Sequence, residues 1–349
     1  MSNETDLQES AVQEEGAQEE GAQEEANRET DLHEYTTYPR RFISYRWFKP
    51  VLVGLISLIL YIAVIVAAFL AVYFGGIYNP LAGDTIAASY DNLDVSSVLG
   101  VVFNLGGVAA MIPCFALAAK IVGDRPFSSY SSSRGGWHWK LFFKCLLICL
   151  VVIGIPVVIS NLIIGGDGIN RFSAASFAAL TIVGPLQCVA EEYFFRAFLL
   201  QTLGSWFRVP AIAIAAAALI FASMHPYNTI GVVSVLVSGL IWGTMAKVTK
   251  GLEASSAAHI VNNMTIFYMM GLGMTTLSSN QPVSDMIISV VKDLVYFAVI
   301  LYIARKLHWF DEVRRDDVTP FNAKVEAKRA AKEAKRAAKE AEGAAKEAK

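Results

Sequence analysis

The chain has 349 residues, of which 54% are hydrophobic and 17% charged, and its mean hydropathy is +0.45. That is too apolar and too sparsely charged for an ordinary soluble protein. The charges are also uneven: about 13 precede Tyr35, about 20 follow Phe310, and roughly 27 are spread over the long stretch between. The net charge of −2 therefore divides into about −11, +7 and +2 for the three segments. The positive charge of the middle segment lies in short loops and not on one stripe, so a nucleic-acid partner is excluded.

Residues 13–25 read QEEGAQEEGAQEE, an acidic repeat with no apolar face. It buries too little surface to offset the entropy of ordering, so residues 1–40 are expected to form a disordered acidic tail. No basic n-region followed by an apolar stretch opens the chain, so no cleavable signal peptide is expected and the first span serves as the targeting signal. From there the apolar runs predict eight spans, at about 51–77, 96–120, 141–164, 173–203, 210–226, 229–247, 253–274 and 284–305. Gly-Gly-Ile-Tyr-Asn-Pro after the first, Asp124-Arg125-Pro126 and a Ser-rich stretch after the second, and Gly165-Gly166-Asp167-Gly168 after the third read as connections.

Lysine and arginine set the orientation. Arg40, Arg41, Arg46 and Lys49 precede span one. Lys120, Arg125, Arg134 and Lys140 lie between spans two and three. Arg208 follows span four, Lys247 and Lys250 follow span six, and Arg305 and Lys306 close span eight. The opposite loops carry essentially Arg171. The expected fold class is thus all-α: a polytopic transmembrane helical bundle over residues 41–310, of about eight spans, with both termini cytoplasmic. Trp47, Trp137, Trp139, Trp206 and Trp309 fall at span ends, as interfacial anchors do. Cys114, Cys145, Cys149 and Cys188 all sit in apolar segments and read as small buried hydrophobes. Gly239 and Gly243 form GxxxG, read as close helix packing inside the chain in preference to dimerisation. Residues 311–349, with EAKRAAK repeated from Glu326 and from Glu333, resemble a semi-rigid, solvated helical spacer.

Ionisable residues at membrane depth cost a few kcal/mol each, so each calls for a partner or a function. Span four holds Glu191, Glu192 and Arg196. Glu192 and Arg196 are i,i+4 in the favourable order and can pair. Glu191 lies about 100° around the helix and is left without that partner. His225 ends Phe221-Ala222-Ser223-Met224-His225 in span five; His259 opens His259-Ile260-Val261-Asn262-Asn263 in span seven, with Asn263 one turn along. Either histidine alone reads as a hydrogen-bonded core residue. Together, a carboxylate, two imidazoles and a carboxamide on three helices are an inventory for activating water and stabilising an oxyanion. Counted from the nearest cytoplasmic turn at 1.5 Å per residue, Glu191 lies roughly 20 Å deep, His225 roughly 24 Å and His259 roughly 14 Å. Tilt, a polar vestibule or a break at Gly184-Pro185 would reconcile the three.

At these residues the sequence resembles the CPBP family of intramembrane proteases (CAAX proteases and bacteriocin-processing enzymes, also called the Abi family). The family pattern is EExxxR, FxxxH and HxxxN on successive transmembrane helices, matched here by Glu191 to Arg196, Phe221 to His225 and His259 to Asn263. The resemblance covers about residues 120–275. It implies peptide-bond hydrolysis within a membrane, on a membrane-associated peptide or protein, with Glu191 as the base that deprotonates water. His225 would position that water, His259 and Asn263 would stabilise the oxyanion, and Glu192 with Arg196 would hold the site. A zinc version, with Glu191, His225 and His259 as ligands, stays open beside a metal-independent one. The implied location is a bacterial plasma membrane. Two other classes fit the same residues: a non-proteolytic membrane adaptor or immunity-type protein, and a small transporter using Glu191 and the histidines as a proton relay. Lys292 and Asp293 in span eight match no motif and read as packing or snorkelling charges.

Overall fold

Backbone amides that cannot reach water in a hydrocarbon layer must pair within their own segment, so apolar runs of this length fold as helices. The computed structural model describes residues 34–74, 93–276 and 278–347, and the chain from Tyr35 onward forms one unit. In chain order its helices are α1 (Lys49–Phe74), α2 (Val98–Val122), α3 (Trp139–Ile164), α4 (Ala174–Phe207), α5 (Pro210–Ser223), α6 (Thr229–Val248), α7 (Glu253–Gly271), α8 (Val283–Leu307) and α9 (Val318–Glu347). Among the described residues the only β pairing is an isolated bridge between Ser132 and Gly251. The class is all-α, as the sequence predicts. The acidic repeat and the Gly-Gly-Ile-Tyr-Asn-Pro connection lie outside the described residues.

Each of the eight apolar segments is helical, and six helices among the described residues are long and apolar enough to cross a membrane: α1 to α4, α6 and α8. Helices of that length and apolarity make this an integral membrane protein. Helix α5 has 14 residues, about 21 Å at 1.5 Å per residue, which falls short of a hydrocarbon core of about 30 Å. Helix α7 is long enough but polar, and a polar helix is stable at depth only when protein surrounds it. Its residues from Glu253 to Val261 are continuously buried, enclosed by α3, α4, α6 and α8. Ala254, Ser255, Ser256, Ala257 and Ala258 keep that stretch thin enough for the neighbours to close in.

The GxxxG pair packs within the chain. A Cβ on Gly239 would stand 3.1 Å from the Ala218 Cβ, and one on Gly243 3.2 Å from an Ile214 methyl, both on α5. The four cysteines are free and buried. Two expectations need correction. Helix α4 runs through Pro185 without a break, and its departure from α geometry is a π segment at Tyr193–Leu199. The tail boundary expected at residue 40 falls within the described part of the chain. Tyr35, Tyr38 and Phe42 are buried, because their rings fill a polar cap on the bundle.

That cap is built from the connection between α2 and α3, where the sequence reads exposed topogenic charges. Arg125 and Arg134 are instead buried, the latter with 1% of its surface exposed. Arg134 pairs with Glu253 at 3.0 Å, and the other Glu253 oxygen accepts the His138 backbone N–H at 2.9 Å. Ser133 N donates to Lys250 O at 3.1 Å and Leu252 N to Ser131 O at 3.0 Å, so the connection lies over the α6–α7 turn. Arg125 donates to Gln201 at 2.6 Å and stacks 3.5 Å over the Tyr130 ring. Tyr35 OH donates to Tyr130 O, and Arg314 N to Arg134 O, which brings the segments before α1 and after α8 onto the cap.

His138 is buried in this cap, and burial together with the Arg134 and Arg314 charges pushes its imidazole down from 6.5 to about 4. In the unfolded chain it binds its proton as pH falls through about 6.5, in the folded protein only near 4, so the unfolded state gains protons first. Stability is therefore intact above 6.5 and lost as pH falls toward 4. We expect His138→Leu to lose less thermal stability than wild type on acidification from pH 7 to pH 4 in detergent; parallel losses would overturn the assignment.

Candidate active site

Helices α4 and α7 run antiparallel, and their shared register brings the motif residues together. Thr181 meets Tyr268 hydroxyl to hydroxyl at 3.0 Å, Gly184 lies against the Met264 sulfur, and Glu192 meets His259. Gly184 belongs in this contact because a Cβ there would collide with Met264. The π segment begins at Tyr193, directly after the two glutamates. Such segments add a residue to the turn and are frequent at functional sites. Its side chains reach three neighbours: Tyr193 OH lies 2.6 Å from Ser131 Oγ in the cap, Phe195 packs on Phe221 at 4.8 Å, and Arg196 turns back to Glu192.

The two adjacent glutamates differ sharply. Glu192 is fully buried, and its Oε1 lies 3.0 Å from Arg196 Nη1 and 3.0 Å from His259 Nδ1. A carboxylate oxygen accepts, so His259 Nδ1–H donates to it. Glu191 keeps 17% of its side chain exposed, and its Oε2 faces His259 Nε2 at 3.4 Å. The imidazole thus lies between the two carboxylates, hydrogen-bonded to the buried one. The Arg196 guanidinium lies over the Phe221 ring at 4.2 Å and the Trp242 ring at 5.3 Å. These π faces neutralise part of a charge that few hydrogen-bond acceptors surround.

His225 stands just past the end of α5. Its ring meets Phe221 at 4.7 Å, and its Nδ1 lies 2.8 Å from Phe221 O. A carbonyl only accepts, so this contact puts the proton on Nδ1 and leaves Nε2 with a lone pair. Phe221 also touches the His259 ring at 6.3 Å, so one phenyl ring links both histidines and the arginine. Asn263 Oδ1 accepts from Asn262 Nδ2 at 2.9 Å. All six motif residues therefore converge on one region at the junction of α4, α5, α6 and α7.

Trp242 is a site residue that sequence reasoning missed, with its ring 4.8 Å from His259. A signal existed: of six tryptophans, it alone lies in mid-span. For the zinc alternative, no group of three His, Cys, Asp or Glu side chains is arranged to hold a metal among the described residues. Glu191, His225 and His259 do not fit that role as placed.

Residues 173–265 match the family model described as type II CAAX prenyl endopeptidase Rce1-like, and the matched segment contains every motif residue named above. The uncharacterized protein YyaK of Bacillus subtilis (strain 168) is 26% identical over 218 residues, covering 56% of this chain and 72% of YyaK. No solved structure matches the chain.

The unequal burial of the two adjacent glutamates separates their roles in stability. Glu192→Ala would leave Arg196 buried without its carboxylate and is expected to destabilise by about 3–5 kcal/mol. Glu191→Ala leaves the Glu192–Arg196 pair intact and is expected to cost less than Glu192→Ala. Unfolding of the two variants in the same detergent measures the difference, and equal losses would contradict the assignment.

Proposed function

We propose that the chain is an intramembrane endopeptidase that hydrolyses peptide bonds of membrane-associated proteins or peptides, with Glu191 as the general base. One observation carries this reading. Of two adjacent carboxylates, the first is accessible and faces His259 Nε2, while the second is buried and occupied by Arg196 and His259 Nδ1. Glu191 takes a proton from water, the water oxygen attacks the scissile carbonyl carbon, and the carbonyl oxygen becomes an oxyanion. Glu191 then returns that proton to the leaving nitrogen as the C–N bond breaks, giving a free acid and a free amine.

His225 Nε2, with its lone pair, accepts a hydrogen from the attacking water and orients it. Asn263 contributes N–H donors to the oxyanion. His259, anchored by Glu192, fixes the position of the Glu191 carboxylate. The bilayer is part of this reading: both ends of the chain face the cytoplasm, supported by the lysines and arginines at alternate span ends. The matched family's description makes a prenylated C-terminal CAAX peptide the first substrate to try.

The test uses full-length protein in detergent with a quenched-fluorescence farnesylated CAAX peptide and a library of unprenylated membrane peptides. Glu191→Gln is expected to lower kcat/KM by about 10³-fold or more, and His225→Ala by about 10²-fold, within the range for general acid–base catalysis. Full activity in both variants would overturn the mechanism.

A further inference from the structure

Lys292 and Asp293 stand inside α8 and take no part in the motif pattern. Asp293 turns toward α6, where its Oδ2 accepts from Ser238 Oγ at 2.7 Å. Lys292 turns toward α7, where its Nζ donates to Asn262 Oδ1. Asn262 Nδ2 donates in turn to Asn263 Oδ1 at 2.9 Å. The polarity of this chain is fixed at its head, because an ammonium has only donors and a carboxamide oxygen only accepts. Lys292 thus decides which end of Asn262 faces α8. Asn262 then decides which end of Asn263 it holds, and the Asn263 amide NH₂ is left directed elsewhere. One N–H of that carboxamide meets the buried Cys188, one turn before Glu192 on α4, and Asn263 stands one turn along α7 from His259, so the other N–H is left for the site.

We infer that Lys292 and Asn262 are positioning residues that hold the Asn263 carboxamide with its N–H groups toward the reacting carbonyl oxygen. The inference rests on the peptidase reading above. Neither residue touches substrate. An asparagine free to rotate presents oxygen or nitrogen with similar ease, and its lone pairs would repel a developing oxyanion. A donor fixed beforehand needs no reorganisation as charge develops. The ammonium at the head also polarises each amide after it, which strengthens the last donor. The hydrogen bond from Lys292 to Asn262 gives this use to a charge held at depth in α8.

The test follows kcat and KM separately on the farnesylated peptide with full-length protein. Lys292→Met is expected to lower kcat by about 10–100-fold with KM changed by less than about 3-fold, since an interaction made only in the transition state is lost. Lys292→Arg restores most of that rate. In an Asn263→Ala background, Lys292→Met costs no more than about 2-fold, because its effect runs through Asn263. Asn262→Asp is the sharper probe, since a carboxylate of the same shape can only accept. Asn263 would turn its NH₂ toward Asp at 262 and its oxygen toward the substrate, and kcat would fall as far as in Asn263→Ala. Should Lys292→Met fail to fold, Asn262→Asp carries the test, because it keeps the volume and sets a carboxylate beside the ammonium.

A kcat near wild type in Lys292→Met, a loss that multiplies fully with Asn263→Ala, or an active Asn262→Asp would overturn the inference. Glu191→Gln on the same peptide separates the two levels. If it is inactive while the relay variants are fully active, only the relay falls. If it is as active as wild type, the peptidase reading falls and the relay with it.

Discussion

The bundle is organised around one buried carboxylate. Glu192 has no exposed surface, and it is held by Arg196 from its own helix and by His259 from α7. A charge in that position costs several kcal/mol unless opposite charge and hydrogen bonds surround it. The requirement fixes α7 against α4 in a single register, since a slip of one residue would swing His259 about 100° away. It also calls for the π segment, which follows at once and brings Arg196 back under the carboxylate while Tyr193 reaches the cap. Phe221 and Trp242 complete the enclosure from α5 and α6, covering the guanidinium with ring faces. Four helices thereby converge on a single ion pair, and Glu191 inherits its position from them.

A polar helix at the centre has consequences for everything around it. Helix α7 carries two asparagines, a histidine and a glutamate, so each exposed flank would be costly in lipid. Helices α3, α4, α6 and α8 cover the sides. Its N-terminal end needs another solution, because Glu253 starts the helix and is itself buried. The cap supplies it. Arg134 and the His138 amide satisfy that carboxylate, and the Ser131–Ser133 segment covers the turn before it. Cap and candidate site are therefore the two ends of one problem, the placing of a polar helix inside an apolar bundle.

The helices and the six motif residues were legible in the sequence for the same reason. In an apolar background, runs of hydrophobic residues mark the spans, and the few charges left inside them mark the site. The cap was not legible. Its residues, Asp124 to His138, have the serine, glycine and arginine content of an exposed loop, and the Glu253 that neutralises Arg134 lies 119 positions away. Nothing local announces that pairing. Trp242 was readable by elimination, as the tryptophan with no span end to anchor. The Asn262–Asn263 bond was not, because adjacent residues on a helix point about 100° apart and no spacing rule pairs them.

The same constraint explains why charges outside the motif survive at depth. Asp293 and Lys292 are neighbours in sequence but turn to different helices, one to Ser238 and one to Asn262. A lone lysine in α8 would be a pure cost, and a lone aspartate likewise. As adjacent opposite charges they offset one another electrostatically, which lets each make a directed hydrogen bond that a neutral side chain could not match in strength. The aspartate ties α8 to α6, whose Trp242 lines the site. The lysine ties α8 to α7 at the residue preceding Asn263. Helix α8 supplies no motif residue, yet both of its internal charges end one side chain away from the site, so its place in the bundle is set by the polar core and not by apolar packing alone.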